Sequence, residues 1–100
     1  MNPYIITSQE LHDALQQNDQ IELVDVRTLE KHEAYNIGGK HIPLEEMPTR
    51  LNEIDRNKLI VTYCTMGNRS MRALEFLVAS GFTNVKSLEG GMTAWREIIK

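Results

Sequence analysis

Apolar residues recur along this chain in two alternating patterns, short compact runs and longer stretches with a period near 3.6, and the alternation predicts its elements. Thr7-Ser8-Gln9-Glu10 has the spacing of a capping box, and Leu11, Ala14 and Leu15 follow on one helical face. Ile21 to Val26 reads as a short strand with Leu23, Val24 and Val26 apolar. Thr28 is placed to cap a short helix through Tyr35, which Gly38-Gly39 would end. Leu44 to Ile54 predicts another short helix carrying Met47, Leu51 and Ile54, with Pro48 in its first turn. Leu59 to Tyr63 is the most apolar strand and is expected at the centre of the fold. From Met71 to Ser80 the spacing predicts a helix with Met71, Leu74, Leu77 and Val78 on one face, closed by Gly81. Val85 to Leu88 is a last strand, and Gly90-Gly91 leads into a helix with Met92, Trp95, Ile98 and Ile99 turned inward.

Strands alternating with helices predict an α/β fold, a mostly parallel central sheet of about five short strands flanked by helices on both faces. Ligands in such folds bind beyond the carboxyl ends of the strands. Cys64 falls at such an end, directly after the central strand. With no repeat, low-complexity run or linker, residues 1–100 are expected to form one domain.

Composition narrows the partners. The 41% hydrophobic residues are enough for a core, and a formal charge of −3 argues against nucleic acid as the main partner. Residues 51–100 carry 7 Lys/Arg against 5 Asp/Glu, whereas residues 1–50 carry 4 against 9. The cysteine-bearing half therefore suits a small anion better than the other half. One cysteine excludes an internal disulfide, a Cys-x-x-Cys redox pair and a multi-cysteine zinc site, and no metal is expected. A free thiol, no basic-then-apolar leader and no long apolar stretch predict a cytoplasmic protein without a membrane segment.

The candidate chemistry lies in Cys64-Thr65-Met66-Gly67-Asn68-Arg69-Ser70, between a strand and a helix. A thiol beside a helix start sits where N–H groups and the helix dipole favour an anion, and so favour the nucleophilic thiolate. Gly67 permits backbone conformations that turn successive N–H groups inward around the sulfur. Arg69 is placed either to pair outward or to bond loop carbonyls, and Ser70 to cap the helix or donate a hydroxyl to the sulfur. Met66, apolar at the loop tip, is placed to shape a pocket mouth or touch a partner. The plainer reading of Cys64 is a small buried hydrophobe at a strand end. That reading loses ground once Gly67, Arg69 and Ser70 are taken together with it.

Cys64-x-x-Gly67-x-Arg69-Ser70 resembles the active-site loop of the rhodanese-like sulfurtransferases. Val24-Asp25-Val26-Arg27 is similar to the family's first signature, Ile42-Pro43-Leu44 followed by Leu51 to its turn into the middle helix, and Leu88-Glu89-Gly90-Gly91-Met92 with Trp95 to its closing signature. The four occur in the family's order and span nearly the whole chain. Two departures accompany them. Asn36 to Pro43 resembles a shortened variant of the family's Gly-His-Ile-Pro-Gly, so the family histidine is not assigned to His41. Thiosulfate-using members often carry a basic residue after the cysteine, where this chain has Thr65.

The resemblance implies transfer of a sulfane sulfur through a Cys64 persulfide. A donor such as thiosulfate or another persulfide would load it, and a thiol, cyanide or protein acceptor would discharge it, with no cofactor. Phosphatases of related fold place one residue more between cysteine and arginine than the four found here. Asp25 and Arg27 are read as supporting residues, an ion pair or loop brace rather than groups that polarise the site, with Glu33 a candidate partner for Arg27. His12, His32 and His41 are read as surface or turn residues, and Trp95 as core. Two other classes stay open: a sulfur carrier or persulfide sensor serving one partner, and a noncatalytic interaction domain.

Overall fold

Leu59–Tyr63 forms the middle strand of a five-stranded sheet, with Ile60, Val61, Thr62 and Tyr63 all buried. A computed structural model of the chain describes residues 2–17 and 20–99. In chain order the strands are β1 (Ile5–Ile6), β2 (Ile21–Asp25), β3 (Lys40–His41), β4 (Leu59–Tyr63) and β5 (Val85–Leu88). Their spatial order is β1-β5-β4-β2-β3, and every neighbouring pair is parallel. The register sets Asp25 opposite Tyr63 and Thr62 opposite Ser87. Whatever follows β2 and β4 therefore emerges side by side at one end of the sheet.

Successive side chains of a strand point to opposite faces, so each buried strand feeds two cores. On one face α1 (Ser8–Gln17) and α4 (Gly91–Ile98) bring Leu11, Met92 and Trp95 onto Leu23, Val61, Tyr63 and Leu88. On the other, α3 (Asn68–Ala79) brings Ala73, Leu74 and Leu77 onto Val24, Ile60 and Val85. Each fully buried side chain of the size of Leu77 or Ile60 contributes roughly 1.5–3 kcal/mol through burial. The capping box forms as its spacing predicts: Glu10 N–H donates to Thr7 Oγ1 at 3.1 Å, and Thr7 N–H donates to Glu10 Oε1 at 2.9 Å. Among the described residues no helix is long and apolar enough to cross a membrane.

Several local expectations are corrected. Leu44 to Ile54 is not one helix but two 3₁₀ segments, Leu44–Thr49 and Leu51–Glu53. Pro48 has no N–H to give the Leu44 carbonyl, so an α-helical turn cannot close there, and i+3 bonds such as Arg50 N–H to Met47 O at 3.1 Å take over. The helix α2 spans Leu29–Ala34 and ends at Tyr35, whose N–H bonds Lys31 O, well before Gly38-Gly39. Helix α3 starts at Asn68, ahead of Met71, and its buried face is Ser70, Ala73, Leu74 and Leu77, leaving Val78 exposed. In α4 the inward positions are Met92 and Trp95, and Ile98 is exposed.

Candidate active site

Cys64 follows β4 immediately, and three residues later the chain turns into α3 at Gly67, whose φ of +106° is open to glycine and strained for other residues. Gly67 is the N-cap of α3 but has no side chain with which to cap it. The cysteine sulfur does so instead. Sγ of Cys64 accepts from Gly67 N–H at 3.0 Å and from Ser70 N–H at 3.3 Å. Ser70 is the third residue of the helix, so sulfur stands where a capping oxygen usually stands, in the positive field of the helix N-terminus.

Behind the sulfur, the Ser70 hydroxyl is buried and shared. Its oxygen lies 3.5 Å from Cys64 Sγ, 3.1 Å from the Gly67 carbonyl and 2.7 Å from Ser87 Oγ. Ser87 on β5 thus gives the Ser70 hydroxyl an alternative partner, and the Ser70 proton is free to turn to a sulfur that becomes negative. Thr62 Oγ1 donates to the Ser70 carbonyl at 2.9 Å and ties the helix start to β4. Cys64 itself is 3% exposed, packed with the apolar cluster on one side and opening on a cavity of about 350 Å³ on the other.

The remaining loop residues line that cavity. Thr65, Met66, Asn68 and Arg69 all border it, and Met66 at the tip is 66% exposed. Arg69 takes the outward of its two expected arrangements, with Nη1 3.8 Å from Glu45 Oε1. The start of α4 holds the loop from below: Met92 N–H donates to the Cys64 carbonyl at 2.8 Å, and Thr93 N–H to the Thr65 carbonyl at 3.0 Å. Gly91 makes that approach possible, because a Cβ there would lie 2.4 Å from the Cys64 oxygen.

Beside the loop, at the end of β2, Asp25 and Arg27 form a buried ion pair, with Arg27 Nε 2.9 Å from Oδ1 and Nη2 2.8 Å from Oδ2. Arg27 also donates to the Tyr35 carbonyl at 2.6 Å, so its partners are Asp25 and a carbonyl rather than Glu33. Burial pushes the Asp25 carboxyl up, but hydrogen bonds from the Arg27 side chain and N–H and from His32 outweigh it and hold the carboxyl below its ordinary range. The same Asp25 hydrogen bonds keep the Arg27 guanidinium above its usual value. Burial, with the Asp25 charge adding to it, likewise raises the Tyr63 phenol, whose hydroxyl donates to the Gly38 carbonyl at 3.0 Å.

Sequence reasoning missed four parts of this arrangement. His32 is no free surface residue: its Nδ1 lies 2.9 Å from Asp25 Oδ2 and its ring stacks on His41 at 4.5 Å. Ser87 and Lys31 have no role in the sequence reading. Gly91 figures there only in the glycine pair before the last helix and in the closing signature, not as a contact of the sulfur loop. Of these three, only Gly91 had a local signal. Among the described residues no group of three His, Cys, Asp or Glu side chains is arranged to hold a metal ion.

This chain belongs to the rhodanese-like domain family, whose sequence profile matches residues 7–98. A sulfurtransferase of Allochromatium vinosum is 33% identical over 91 residues, covering 90% of this chain and 85% of that protein. A thiosulfate sulfurtransferase of Pseudomonas syringae is 36% identical over 75 residues, covering 74% of this chain and 71% of the relative. The crystal structure of a rhodanese-like domain protein from Staphylococcus aureus matches with a TM-score of 0.80 at 35% identity, over 91% of this chain and 89% of that one. Relatives of these kinds support a rhodanese-type role in sulfur transfer.

Proposed function

We propose that this protein is a sulfurtransferase that carries a sulfane sulfur on Cys64 as a persulfide. The reading rests on one observation above all: the sulfur of the lone cysteine accepts the Gly67 and Ser70 N–H groups at a helix start while opening on a cavity. In the loading step the Cys64 thiolate attacks the outer sulfur of a donor such as thiosulfate. A new S–S bond forms, the donor's S–S bond breaks, and sulfite leaves with the electron pair. Donors already fixed around the sulfur stabilise the charge on the persulfide without reorganising, which is electrostatic preorganisation. In the second step a nucleophile (cyanide in an assay, a thiol or a protein in the cell) attacks the outer sulfur and releases the Cys64 thiolate.

With no second cysteine in the chain, discharge goes to an external acceptor. A free thiol serving this chemistry suits a reducing compartment, and the cytoplasm is the proposed location. Residues 1–100 are taken to act as one domain. Incubation with thiosulfate followed by intact-mass measurement should add the mass of one sulfur atom, and Cys64→Ser should abolish the gain. The same gain in Cys64→Ser protein overturns the assignment. Turnover with thiosulfate and cyanide marks an enzyme, whereas a stable persulfide without turnover marks a carrier that serves a dedicated partner.

A further inference from the structure

Three cationic side chains border the cavity that opens on Cys64, and they differ in what already compensates them. Arg27 is held by the buried Asp25 carboxylate through paired hydrogen bonds. Arg69 shares its charge with Glu45 at 3.8 Å. Lys31, on α2, makes no ion pair among the described residues. Its side-chain contact is with the hydroxyl of Thr65, Nζ to Oγ1 at 3.5 Å. Thr65 directly follows the cysteine, so the ammonium reaches from another element to the edge of the sulfur loop. The position of Lys31 is set by the first turn of α2, where its N–H donates to the capping Thr28 Oγ1 at 3.4 Å.

We propose that Lys31 is the donor-recognition residue of this site, and that it selects sulfur donors whose leaving group is a doubly charged oxyanion. This rests on the persulfide reading above. Thiosulfate must bring its outer sulfur to Cys64, where the Gly67 and Ser70 N–H groups draw it, and its sulfonate end then projects back into the cavity. When the S–S bond breaks, the electron pair stays with that end, which departs as sulfite carrying two negative charges; no proton or oxidant takes part. Arg27, neutralised by its buried carboxylate, exerts little field on such a group. Arg69 keeps more of its field, since Glu45 is an exposed partner 3.8 Å away. The Lys31 ammonium is the cation beside Thr65 that has no carboxylate partner among the described residues. Lys31 would touch the leaving group and act in the loading step alone, because discharge to a neutral or thiol acceptor releases no oxyanion.

A pair of donors differing in charge tests this. Thiosulfate is a dianion, and methanethiosulfonate offers the same kind of S–S bond on a monoanion, losing methanesulfinate. Halving the charge halves the Coulomb interaction. Lys31→Gln should therefore lower the rate constant for loading Cys64, followed by intact mass, about tenfold with thiosulfate and about threefold with methanethiosulfonate. The salt dependence of the thiosulfate reaction should flatten as well. Lys31→Arg should retain most of the preference, and adding Thr65→Lys to Lys31→Gln should restore it by placing an ammonium at the same point. Equal losses with both donors, or wild-type rates with both, overturn the assignment of Lys31 and leave the persulfide intact. If wild-type protein loads from neither donor, both readings fall.

Discussion

The α-carbon of Gly91 presses against the carbonyl of Cys64 so closely that any side chain there would overlap it. A Cβ built on Gly91 lies 2.4 Å from the Cys64 oxygen and 2.6 Å from the Thr65 carbonyl group, both of them backbone. The same contact lets Met92 N–H reach the Cys64 carbonyl at 2.8 Å. The loop that carries the sulfur is thus interlocked with the start of α4, a helix more than twenty residues further along the chain.

Gly91→Ala should consequently move the loop. Overpacking of this kind costs about 1–3 kcal/mol, and the loss should appear in the denaturation midpoint together with slower persulfide loading. Gly67→Ala makes the contrast. A Cβ at Gly67 meets nothing closer than the Gly90 nitrogen at 3.6 Å, so only the backbone strain of φ +106° is paid, on the order of 1–2 kcal/mol. That variant should stay folded while its loading rate falls, because the Gly67 N–H is aimed by that same backbone angle.

Ser70→Ala keeps the N–H on the sulfur but removes the hydroxyl that lies 3.5 Å from it. It also deprives the buried Ser87 hydroxyl of its 2.7 Å partner, which costs about 1–3 kcal/mol. Loading should slow several-fold. Ser87→Ala should slow it less, since the Ser70 hydroxyl then keeps both the Gly67 carbonyl and the sulfur within reach. Equal effects of the two substitutions on loading would show that the hydroxyl does not act on the sulfur.

Two arginines near the loop should behave differently. Arg27→Met removes the guanidinium from the buried Asp25 carboxylate, leaving it the residue-27 N–H and His32, and should destabilise the protein by about 3 kcal/mol in urea titrations. Arg69→Ala removes an exposed side chain with one loose partner and should change stability by no more than about 0.5 kcal/mol. Any effect of Arg69→Ala on loading is then separable from folding.

Asp25 also sets an acid limit. Its carboxyl is held below the ordinary range, since hydrogen bonds from Arg27 and His32 outweigh the burial that works against ionisation. The folded state therefore binds its proton less readily than the unfolded chain does. The resulting stabilisation is complete above the unfolded value of about 3.9 and is lost as pH falls through the lower folded value. Urea titrations between neutral pH and about pH 3 should show a steep acid decline in wild-type protein and a shallower one in Asp25→Asn.

Local pattern alone carried the sequence a long way. The strands within Ile21 to Val26, Leu59 to Tyr63 and Val85 to Leu88, the Thr7/Glu10 cap, and the cysteine loop between a strand and a helix are all written in neighbouring residues. Period and capping chemistry encode which face is buried and where a helix starts, and both act over a few positions. Tertiary structure decided the rest. The strands Ile5–Ile6 and Lys40–His41 have two residues each, too few to show a period, and exist because β5 and β2 offer them open edges. Pro48 locally rules out an α-helical turn, but that the first 3₁₀ segment, Leu44–Thr49, lies against α3 is a matter of tertiary packing. Lys31 meets Thr65 across 34 positions and Ser70 meets Ser87 across 17, because parallel pairing sets Asp25 beside Tyr63 and Thr62 beside Ser87. No local period encodes such distances; only the register of the sheet brings those side chains together around the sulfur.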